Sequence, residues 1–268
     1  MIESNSKISR QDKFRLFARE VGQLFSVKQA QTVLGVSAQA SAQTLARWHH
    51  QGFIARIVPG LYALVPNDTL IADFMLEDPW LLIPKLFDPG YIGGWTASEY
   101  WDLTEQIFNT LMVFTTLPVP HKQQKIGAQS FQIKHIQASR LFGLEPIWRG
   151  QEKIMISDMH RTIIDLFNEP ETAGGQQHSV DCLKNYLKNS ESNLGKLSQY
   201  ANKIQNGALY KRLGFLLEKI IEKNHPIIDH FHTKITKGYS YLNPTEKENN
   251  RLVQRWSLFV PKSFNLEQ

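Results

Sequence analysis

The sequence predicts an α+β protein with two domains: a small one over residues 1–66, in which helices precede a β-hairpin, and a larger one over residues 67–268, in which strands precede helices. Apolar residues before residue 51 recur at three- and four-residue spacing. Short apolar runs bounded by turn residues dominate from 111 to 156, and helical spacing then returns. A chain of 268 residues is also long enough for two domains that each bury a core.

Net charge is unevenly spread along the chain and favours an anionic partner for the N-terminal domain. Residues 1–66 hold eight Lys or Arg and three Asp or Glu, a net charge of +5. Residues 67–189 carry −5 and residues 190–268 carry +5. A positive excess over so short a segment is expected to attract phosphates, although an ordinary solvated basic face is the plainer interpretation.

Composition limits the class of protein. Hydrophobic residues make up 42% and charged residues 21% of the chain, which is ordinary for a globular protein. No apolar run is long enough to span a bilayer and the N-terminus lacks the apolar core of a signal peptide, so we expect a cytoplasmic protein. The single cysteine, Cys182, excludes an intramolecular disulfide and a cysteine-based metal site, and we interpret it as a packed side chain.

Three helices are predicted in the N-terminal domain. The first runs from about Arg10 to Gly22, with Phe17 among the apolar residues on its inner face. Ser26 has the position of an N-cap for a second helix, from Val27 to Leu34, and the third helix runs from Ser37 to His50.

The third helix has two different faces. Leu45 and Trp48 lie three residues apart and are expected to be buried. The opposite side carries a polar row with one fixed positive charge, formed at three- and four-residue spacing by Gln39, Gln43, Arg47 and His50.

A β-hairpin is predicted after this helix. Gly52 ends the helix, and two short strands follow, Phe53 to Val58 and Leu61 to Val65. Pro59-Gly60 joins them, because proline presets φ for a turn and glycine supplies a positive φ. Arg56 lies near the tip.

A polar helix followed by a basic hairpin is the arrangement of a winged helix-turn-helix domain. The helix fits the major groove of DNA, and the hairpin lies against the phosphate backbone or the minor groove. Lys28, in the first turn of the second helix, is placed to contact a phosphate together with the amides of that helix end. We therefore predict double-stranded DNA as a partner, with contacts from Lys28, Ser37, Gln39, Ser41, Gln43, Thr44, Arg47, His50 and Arg56. Two alternatives to DNA binding stay open. The same fold also serves as a protein-interaction module, and an ordinary helix and hairpin would carry the same polar residues only because that face is solvated.

The larger domain is predicted to begin with a connector, Pro66 to Thr69, and an apolar helical segment, Leu70 to Phe87. A segment rich in aromatic residues follows, and its Trp95, Tyr100, Trp101 and Leu103 are expected to form a buried face, with a ligand-binding aromatic box as the alternative. A mostly antiparallel sheet is predicted from four apolar runs: Leu111 to Thr116, Ser130 to Ile136, Leu141 to Trp148 and Lys153 to Ile156.

Helices are predicted from residue 157 onward. Ser157-Asp158 caps the first, which ends near Pro170. Three more are expected at Val180 to Leu187, Leu194 to Ile204 and Ala208 to Ile221. In the last of them Lys211, Arg212 and Lys219 are assigned to the solvent side.

Six segments together resemble the AbiE-type antitoxin repressors (AbiEi-like, type IV) of abortive-infection toxin–antitoxin systems. They are GLYAL at 60–64, GGWTASEYWDLTEQ at 93–106, VFTT at 113–116, RTIIDLF at 161–167, NGALYKRLGFLLE at 206–218 and GYSYLNP at 238–244. The resemblance spans most of the chain and is specific as an ordered set. The first eight residues and the segment after Pro244 match least well.

This resemblance implies two tasks. The N-terminal winged helix-turn-helix domain would bind inverted repeats in the promoter of its own operon and repress it. The C-terminal domain would help to neutralise a nucleotidyltransferase-like toxin, by a route that need not involve a stable complex.

Enzymatic alternatives find less support in the sequence. Gln132-Ile133-Lys134 matches the second half of a metal-dependent nuclease pattern, but the nearest acids, Asp102 and Glu105, are predicted on a helix. His225, His230 and His232 with Asp229 have no tight zinc spacing and are interpreted as surface or capping residues. We predict no catalytic residue, no metal site and no cofactor.

Basic residues near the C-terminus give one further alternative, a second nucleic-acid surface. Its members would be Lys203, Lys211, Arg212, Lys219 and Lys223. Solvated faces of amphipathic helices are the preferred interpretation.

Overall fold

The computed structural model describes residues 9–66, 74–222 and 224–266. The first eight residues, the predicted connector beyond Pro66, the start of the helical segment at Leu70, and Lys223 lie outside these ranges. The predicted α+β class with an N-terminal winged helix-turn-helix is confirmed.

The N-terminal domain contains three helices and a three-stranded antiparallel sheet. Its elements are α1 (Arg10–Glu20), β1 (Leu24–Ser26), α2 (Val27–Leu34), α3 (Ala38–His50), β2 (Ile54–Val58) and β3 (Leu61–Leu64). The strand order is β1-β3-β2. The sequence did not predict β1, because three residues carry too little periodicity and its pairing with β3 is long-range.

Aromatic side chains and helix caps hold this domain together. Phe17 is fully buried and its ring centre lies 4.8 Å from that of Trp48 on α3. At the start of α2, the Ser26 hydroxyl accepts from the Gln29 amide at 3.2 Å, and the Gln29 side chain accepts from the Ser26 amide at 2.9 Å. This capping box satisfies two helix-end donors, which is why Ser26 marks the boundary.

The larger domain begins with a short helix, α4 (Ile83–Leu86), and is built on a six-stranded sheet. The sheet and the helix α5 inserted in it comprise β4 (Gly90–Ile92), α5 (Gly94–Tyr100), β5 (Thr110–Thr115), β6 (Gln123–Ile126), β7 (Gln129–His135), β8 (Leu144–Arg149) and β9 (Glu152–Ser157). The strand order is β6-β7-β5-β4-β9-β8. The sheet is mixed: β5 pairs with β7 and β4 with β9 in parallel, whereas the other three pairs are antiparallel. With three antiparallel pairs of five, the sheet is mostly antiparallel, as expected. The two parallel pairs were not predicted, since strand direction depends on connections that a local pattern does not encode.

Helices cover the sheet and enclose a second core. They are α6 (Met159–Asn168), α7 (Gln176–Lys188), α8 (Leu194–Ile204), α9 (Gly207–Ile220) and α10 (Pro226–Thr233), followed by a small sheet of β10 (Ser240–Tyr241), β11 (Asn250–Val253) and β12 (Leu258–Pro261). Helix α6 is buried along almost its whole length. Trp256 is fully buried against α9 at Gly214, where a Cβ atom would overlap the indole ring.

The assignment of Lys211 and Arg212 to the solvent side of α9 was wrong. Both side chains are buried. Lys211 Nζ donates to the carbonyl of Gly238 at 2.7 Å, while Arg212 donates to the carbonyls of Tyr241 and Phe167 at 2.8 and 2.9 Å. Burial of the charge lowers the pKa of Lys211, and it lowers the pKa of Arg212 to about 10.

The sheet of the N-terminal domain packs on the larger domain. Leu24 on β1 and Leu61 on β3 belong to the same buried apolar cluster as Leu82 and Ile83. The α3 side of that sheet faces a separate cluster around Leu45. Because apolar residues from both sides of residue 67 share one cluster, the two predicted domains are in direct contact. The boundary itself stays a prediction.

We find no helix in the described segments that combines the length and apolar character needed to cross a membrane.

Candidate nucleic-acid interface

Helix α3 is held by its ends and by two buried side chains. The Ser37 hydroxyl accepts from the Ala40 amide at 3.3 Å and caps its first turn. The preceding turn contains Gly35, whose φ of 64° lies in the left-handed region. Leu45 and Trp48 are buried, as predicted from their spacing. With this side fixed in the core, the opposite side of α3 faces outward.

Most of the predicted polar row lies at the surface. The exposed members on and beside α3 are Ser37, Gln39, Gln43, Arg47 and His50. The larger domain therefore does not cover Gln43 or Arg47. These side chains present amide and guanidinium groups of the kind that pair with base edges in a major groove.

Two predicted contacts do not face outward. Ser41 is fully buried, and its hydroxyl has no hydrogen-bond partner within the described part of the chain. Thr44 is half-buried, and its hydroxyl donates to the Ala40 carbonyl at 2.8 Å. Ser41 sits on the same side as Leu45, so a surface contact through Ser41 is wrong; Thr44 has its one donor already engaged.

Two exposed alanines were missed because only polar residues were counted. Ala42 and Ala46 are exposed on the outer side of α3, next to Gln43 and Arg47. Small apolar side chains let a helix approach the groove closely and contact the methyl group of thymine. The available signal was helical spacing, since Ala42 follows Gln39 by three residues and Ala46 follows Gln43 by three.

The hairpin formed by β2 and β3 is the wing. Gly60 at its tip has φ of 85°, which the Pro59-Gly60 turn requires. Arg56 is exposed and lies opposite Tyr62 in the strand register. Ile57 and Val58 pack against the cluster shared with the larger domain. The apolar cluster thus supports one side of the wing, while Arg56 is exposed on the wing surface.

Three cations of this surface lack a local counter-charge. Lys28, Arg47 and Arg56 are exposed, and no carboxylate among the described residues forms an ion pair with them. Lys28 lies in the first turn of α2, as predicted. Unpaired cations keep their full charge for an external anion such as DNA phosphate.

Two of the residues considered for a second nucleic-acid surface near the C-terminus are not at the surface. Lys203 and Lys219 are exposed, but Lys211 and Arg212 are buried in α9. A continuous nucleic-acid surface on the C-terminal helices does not form from this set.

Lys134, the lysine of the candidate nuclease pattern, is already engaged in ion pairs. Lys134 Nζ lies 2.8 Å from a carboxylate oxygen of Glu169 and 2.6 Å from one of Glu171. Burial lowers the pKa of Lys134, but the hydrogen bonds that its ammonium donates to these two carboxylates outweigh burial and raise the pKa. A lysine in this state is a structural cation rather than a group that activates water.

Histidine and cysteine residues are engaged in separate contacts. His225 caps α10, His230 lies 3.3 Å from the side-chain oxygen of Asn202, and His232 contacts the Arg255 carbonyl at 3.1 Å. The described ranges contain no group of three His, Cys, Asp or Glu residues placed to hold a metal ion. Cys182 is buried, and burial raises the pKa of its thiol to about 12, so it is a packed side chain as predicted.

The aromatic segment contributes mainly to packing. Leu103 is fully buried, and the Trp95 and Trp101 indoles each donate a hydrogen bond of 2.7 Å to a backbone carbonyl. Tyr100, predicted to be buried, is 39% exposed. Two engaged indoles and one outward tyrosine do not form an aromatic box.

Comparison with known proteins agrees with this geometry. Residues 13–65, which include α2, α3 and the wing, match the family model described as "Transcriptional regulator, AbiEi antitoxin". The fold resembles the crystal structure of the RV2827C protein from Mycobacterium tuberculosis, with a TM-score of 0.60 and 13% sequence identity over 92% of this chain and 89% of that one. No curated protein matches the chain.

Proposed function

We propose that the chain binds double-stranded DNA through α3 and the wing, and the match of residues 13–65 to the AbiEi antitoxin family of transcriptional regulators supports this. Its targets are inverted repeats in the promoter of its own operon. Binding there represses transcription of that operon. The proposal is supported above all by the exposed row on α3, in which Arg47 has no ion-pair partner in the described chain and Gln43 lies one turn away.

Each residue has a distinct role in this proposal. Gln39, Gln43 and Arg47 enter the major groove and read base edges. Lys28, on α2, and Arg56, on the wing, contact phosphates and fix the position of α3. Ser37 and His50 lie at the two ends of α3 and mark the limits of its contact with DNA.

The second part of the proposal concerns the antitoxin task. The larger domain contributes to neutralising a nucleotidyltransferase-like toxin in the cytoplasm, and the chain performs no catalysis of its own. The family description supports a regulator with an antitoxin role.

Gel shifts at several salt concentrations test the DNA-binding part. Arg47→Ala should cost about 1–3 kcal/mol of operator binding and relax base preference, because a base contact is lost. Arg56→Ala should weaken binding to all sequences alike and reduce the salt slope by about one, because a phosphate contact is lost. Unchanged affinity in the double variant would refute the placement.

A second outcome separates DNA binding from protein docking by the same fold. If the purified chain ignores DNA from its own upstream region and instead retains a partner through α3, the winged helix is an interaction module. Lys125→Ala, on β6, is a control that should leave operator binding unchanged.

Growth rescue tests the antitoxin part. Co-expression with an adjacent nucleotidyltransferase-like toxin should restore growth, and the Arg47→Ala variant should still do so when both genes are expressed from unrelated promoters. Failure of the unaltered chain to restore growth would contradict the antitoxin role and leave the DNA-binding part standing.

A further inference from the structure

The six-stranded sheet of the larger domain has β6 as its outer strand on one side and β8 on the other. An outer strand presents main-chain N–H and C=O groups on which a further strand can add. The two outer strands differ in whether they keep those groups available. This difference indicates which edge accepts a partner strand.

The β8 edge is blocked by a proline. The Asp158 amide donates to the Gly143 carbonyl at 2.8 Å, so alternate residues from 143 onward bond to β9 and the residues between them face away from it. Pro146 is one of the residues that face away, and proline has no N–H to donate. Proline at such a position protects a sheet against edge-to-edge pairing.

The β6 edge keeps its donors. The Ile133 amide donates to the Lys122 carbonyl at 2.7 Å, so residues 122, 124 and 126 bond to β7. Gln123 and Lys125 alternate with them, and their main-chain N–H and C=O groups therefore point away from the sheet. Both residues are exposed. A complete set of donors and acceptors is thus available along this short edge.

An apolar groove of about 570 Å³ lies beside the β6 edge. It is lined by β6, by the loop that precedes β6, by the end of α4 and by Val58 of the wing. Leu117, in that loop, is 36% exposed, and Ile126 of β6 is half-buried. A strand that adds to β6 therefore covers apolar surface as well as pairing its main chain.

We propose that β6 pairs in antiparallel fashion with β6 of a second copy of this chain, across a two-fold axis at Gln124. Gln123 of each copy lies opposite Lys125 of the other, and the two residues exchange both of their main-chain hydrogen bonds. The inference rests on the proposed function, because inverted repeats are two-fold symmetric and present the same half-site to two copies.

The β6 edge is compatible with its own copy. A two-fold contact requires that one patch fit itself. Each Lys125 meets a glutamine, so like charges are not directly opposite each other. Ile126 of each copy lies opposite Lys122 of the other, whose aliphatic stem can cover the isoleucine.

The proposed axis lies beside the DNA-binding unit. Val58, next to the Pro59-Gly60 turn of the wing, lines the same groove as Lys125 and Ile126. A two-fold axis at β6 therefore brings the wings of the two copies close to each other, over neighbouring half-sites of one duplex. DNA holds both copies at a high effective concentration, so a short main-chain contact that is weak in free solution suffices on the operator.

A cysteine at position 124 tests the pairing directly. Residue 124 lies opposite residue 124 of the second copy as a non-hydrogen-bonded pair, with Cα atoms about 4.5 Å apart, which is within the range of about 4.4–6.8 Å that a disulfide needs. Cys182 is buried, and burial raises the pKa of its thiol to about 12, so it stays out of the reaction. With DNA from the chain's own upstream region and oxidised glutathione, Gln124→Cys should form a covalent dimer. Glu145→Cys, at an exposed position of the blocked β8 edge, is the matched control and should stay monomeric.

A proline at position 123 tests the main-chain contact. Gln123→Pro removes one outward donor from each copy and leaves the hydrogen bonds with β7 in place. The variant should bind a DNA fragment with one half-site as the unaltered chain does. It should bind the full inverted repeat at least about tenfold more weakly, because hydrogen bonds across the axis are lost. Gln123→Ala keeps the N–H and should bind both fragments normally.

The half-site fragment separates failure of the pairing from failure of DNA binding. Half-site binding without a covalent dimer of Gln124→Cys on the full repeat would overturn the pairing and leave the DNA-binding proposal standing. If the unaltered chain binds no DNA, the DNA-binding proposal fails, and oxidation of Gln124→Cys at about 1 mM protein without DNA decides the pairing.

The proline variant gives a second decision. Equal affinity of Gln123→Pro and Gln123→Ala for the full repeat would overturn the pairing. If Gln123→Pro also loses growth rescue while it binds the full repeat normally, the edge serves the toxin and the pairing is again overturned. If Gln123→Pro fails to fold, the Gln124→Cys result decides.

Discussion

Individual residues of α3 show how a difference of a few positions decides a role. Arg47 and Ser41 are both polar and both belong to the helix that faces outward, yet Arg47 is exposed and Ser41 is fully buried. Six residues correspond to about 600° of helix rotation, which leaves the two side chains about 120° apart around the helix axis. A list of polar residues therefore overstates the contact surface of a helix.

Ser41→Ala should leave operator affinity unchanged. The Ser41 hydroxyl is buried and has no partner within the described residues, so alanine removes an unpaired polar group and leaves only a small space. The free energy of unfolding should stay the same or rise. Gln43→Ala on the exposed side is the comparison and should weaken binding. Equal losses of affinity for the two variants in gel shifts would contradict this orientation of α3.

Buried histidines should make the protein sensitive to mild acid. Burial lowers the pKa of His178, although its hydrogen bond to the Ala173 carbonyl opposes the effect, and burial likewise lowers the pKa of His160. The unfolded chain, with a histidine pKa of about 6.5, then binds more protons than the folded one as pH falls. This contribution to stability is fully present above pH 6.5 and is lost below it.

His178→Asn tests the histidine contribution, because the asparagine amide can still donate to the Ala173 carbonyl but does not titrate. Denaturant unfolding between about pH 7 and 5 should show a smaller loss of stability in this variant than in the unaltered chain. The same pH slope in both would exclude His178 as a source of acid sensitivity.

At the scale of elements, α9 shows charged residues used for packing. Its basic residues at 211 and 212 hold the chain segment that leads into β10, by hydrogen bonds to the carbonyls of Gly238 and Tyr241. Long charged side chains have apolar stems, so they can lie inside a helical layer if the charged end meets carbonyl oxygens. The amphipathic pattern of α9 therefore has no clear polar side.

Arg212→Met should lower the free energy of unfolding by at least about 1.5 kcal/mol. Methionine retains the apolar stem, but the carbonyls of Tyr241 and Phe167 lose a charged donor in a buried place. Lys219→Ala, at an exposed position of the same helix, should change stability by well under 1 kcal/mol. Equal effects of the two substitutions in urea unfolding would argue against the buried role of Arg212.

At the scale of the whole molecule, the N-terminal sheet shares an apolar cluster with the larger domain. Leu24 and Leu61 contribute to it from one side, and Leu82 and Ile83 from the other. This contact fixes the direction in which α3 points relative to the larger domain. It also ties the stability of the DNA-binding unit to the rest of the chain.

Leu61→Ala should cost about 2–5 kcal/mol, because a buried leucine at the contact is truncated. The full chain should unfold in a single calorimetric transition whose midpoint falls in this variant. Leu16→Ala, at a 36% exposed position of α1, should shift the midpoint much less. Two separate transitions in the unaltered chain would show that the domains unfold independently.

The sequence by itself determined the helices of the N-terminal domain, the caps of α2 and α3, and the two strands of the wing. Helix spacing, the Ser26 and Ser37 caps and the Pro59-Gly60 turn are local signals that act over about four residues. They gave α2 at its observed bounds and α3 and the wing to within one residue. The outward direction of Gln43 and Arg47 followed from the burial of Leu45 and Trp48.

Only the tertiary structure decided the features that depend on distant parts of the chain. These are the parallel pairing of β5 with β7, the burial of Lys211 and Arg212, and the meeting of the wing with the β6 edge at one groove. In each case the partner lies more than ten residues away, and a local pattern carries no information about it. Side-chain burial and hydrogen bonding are set by which segments meet in space, so they emerge only when the chain has folded.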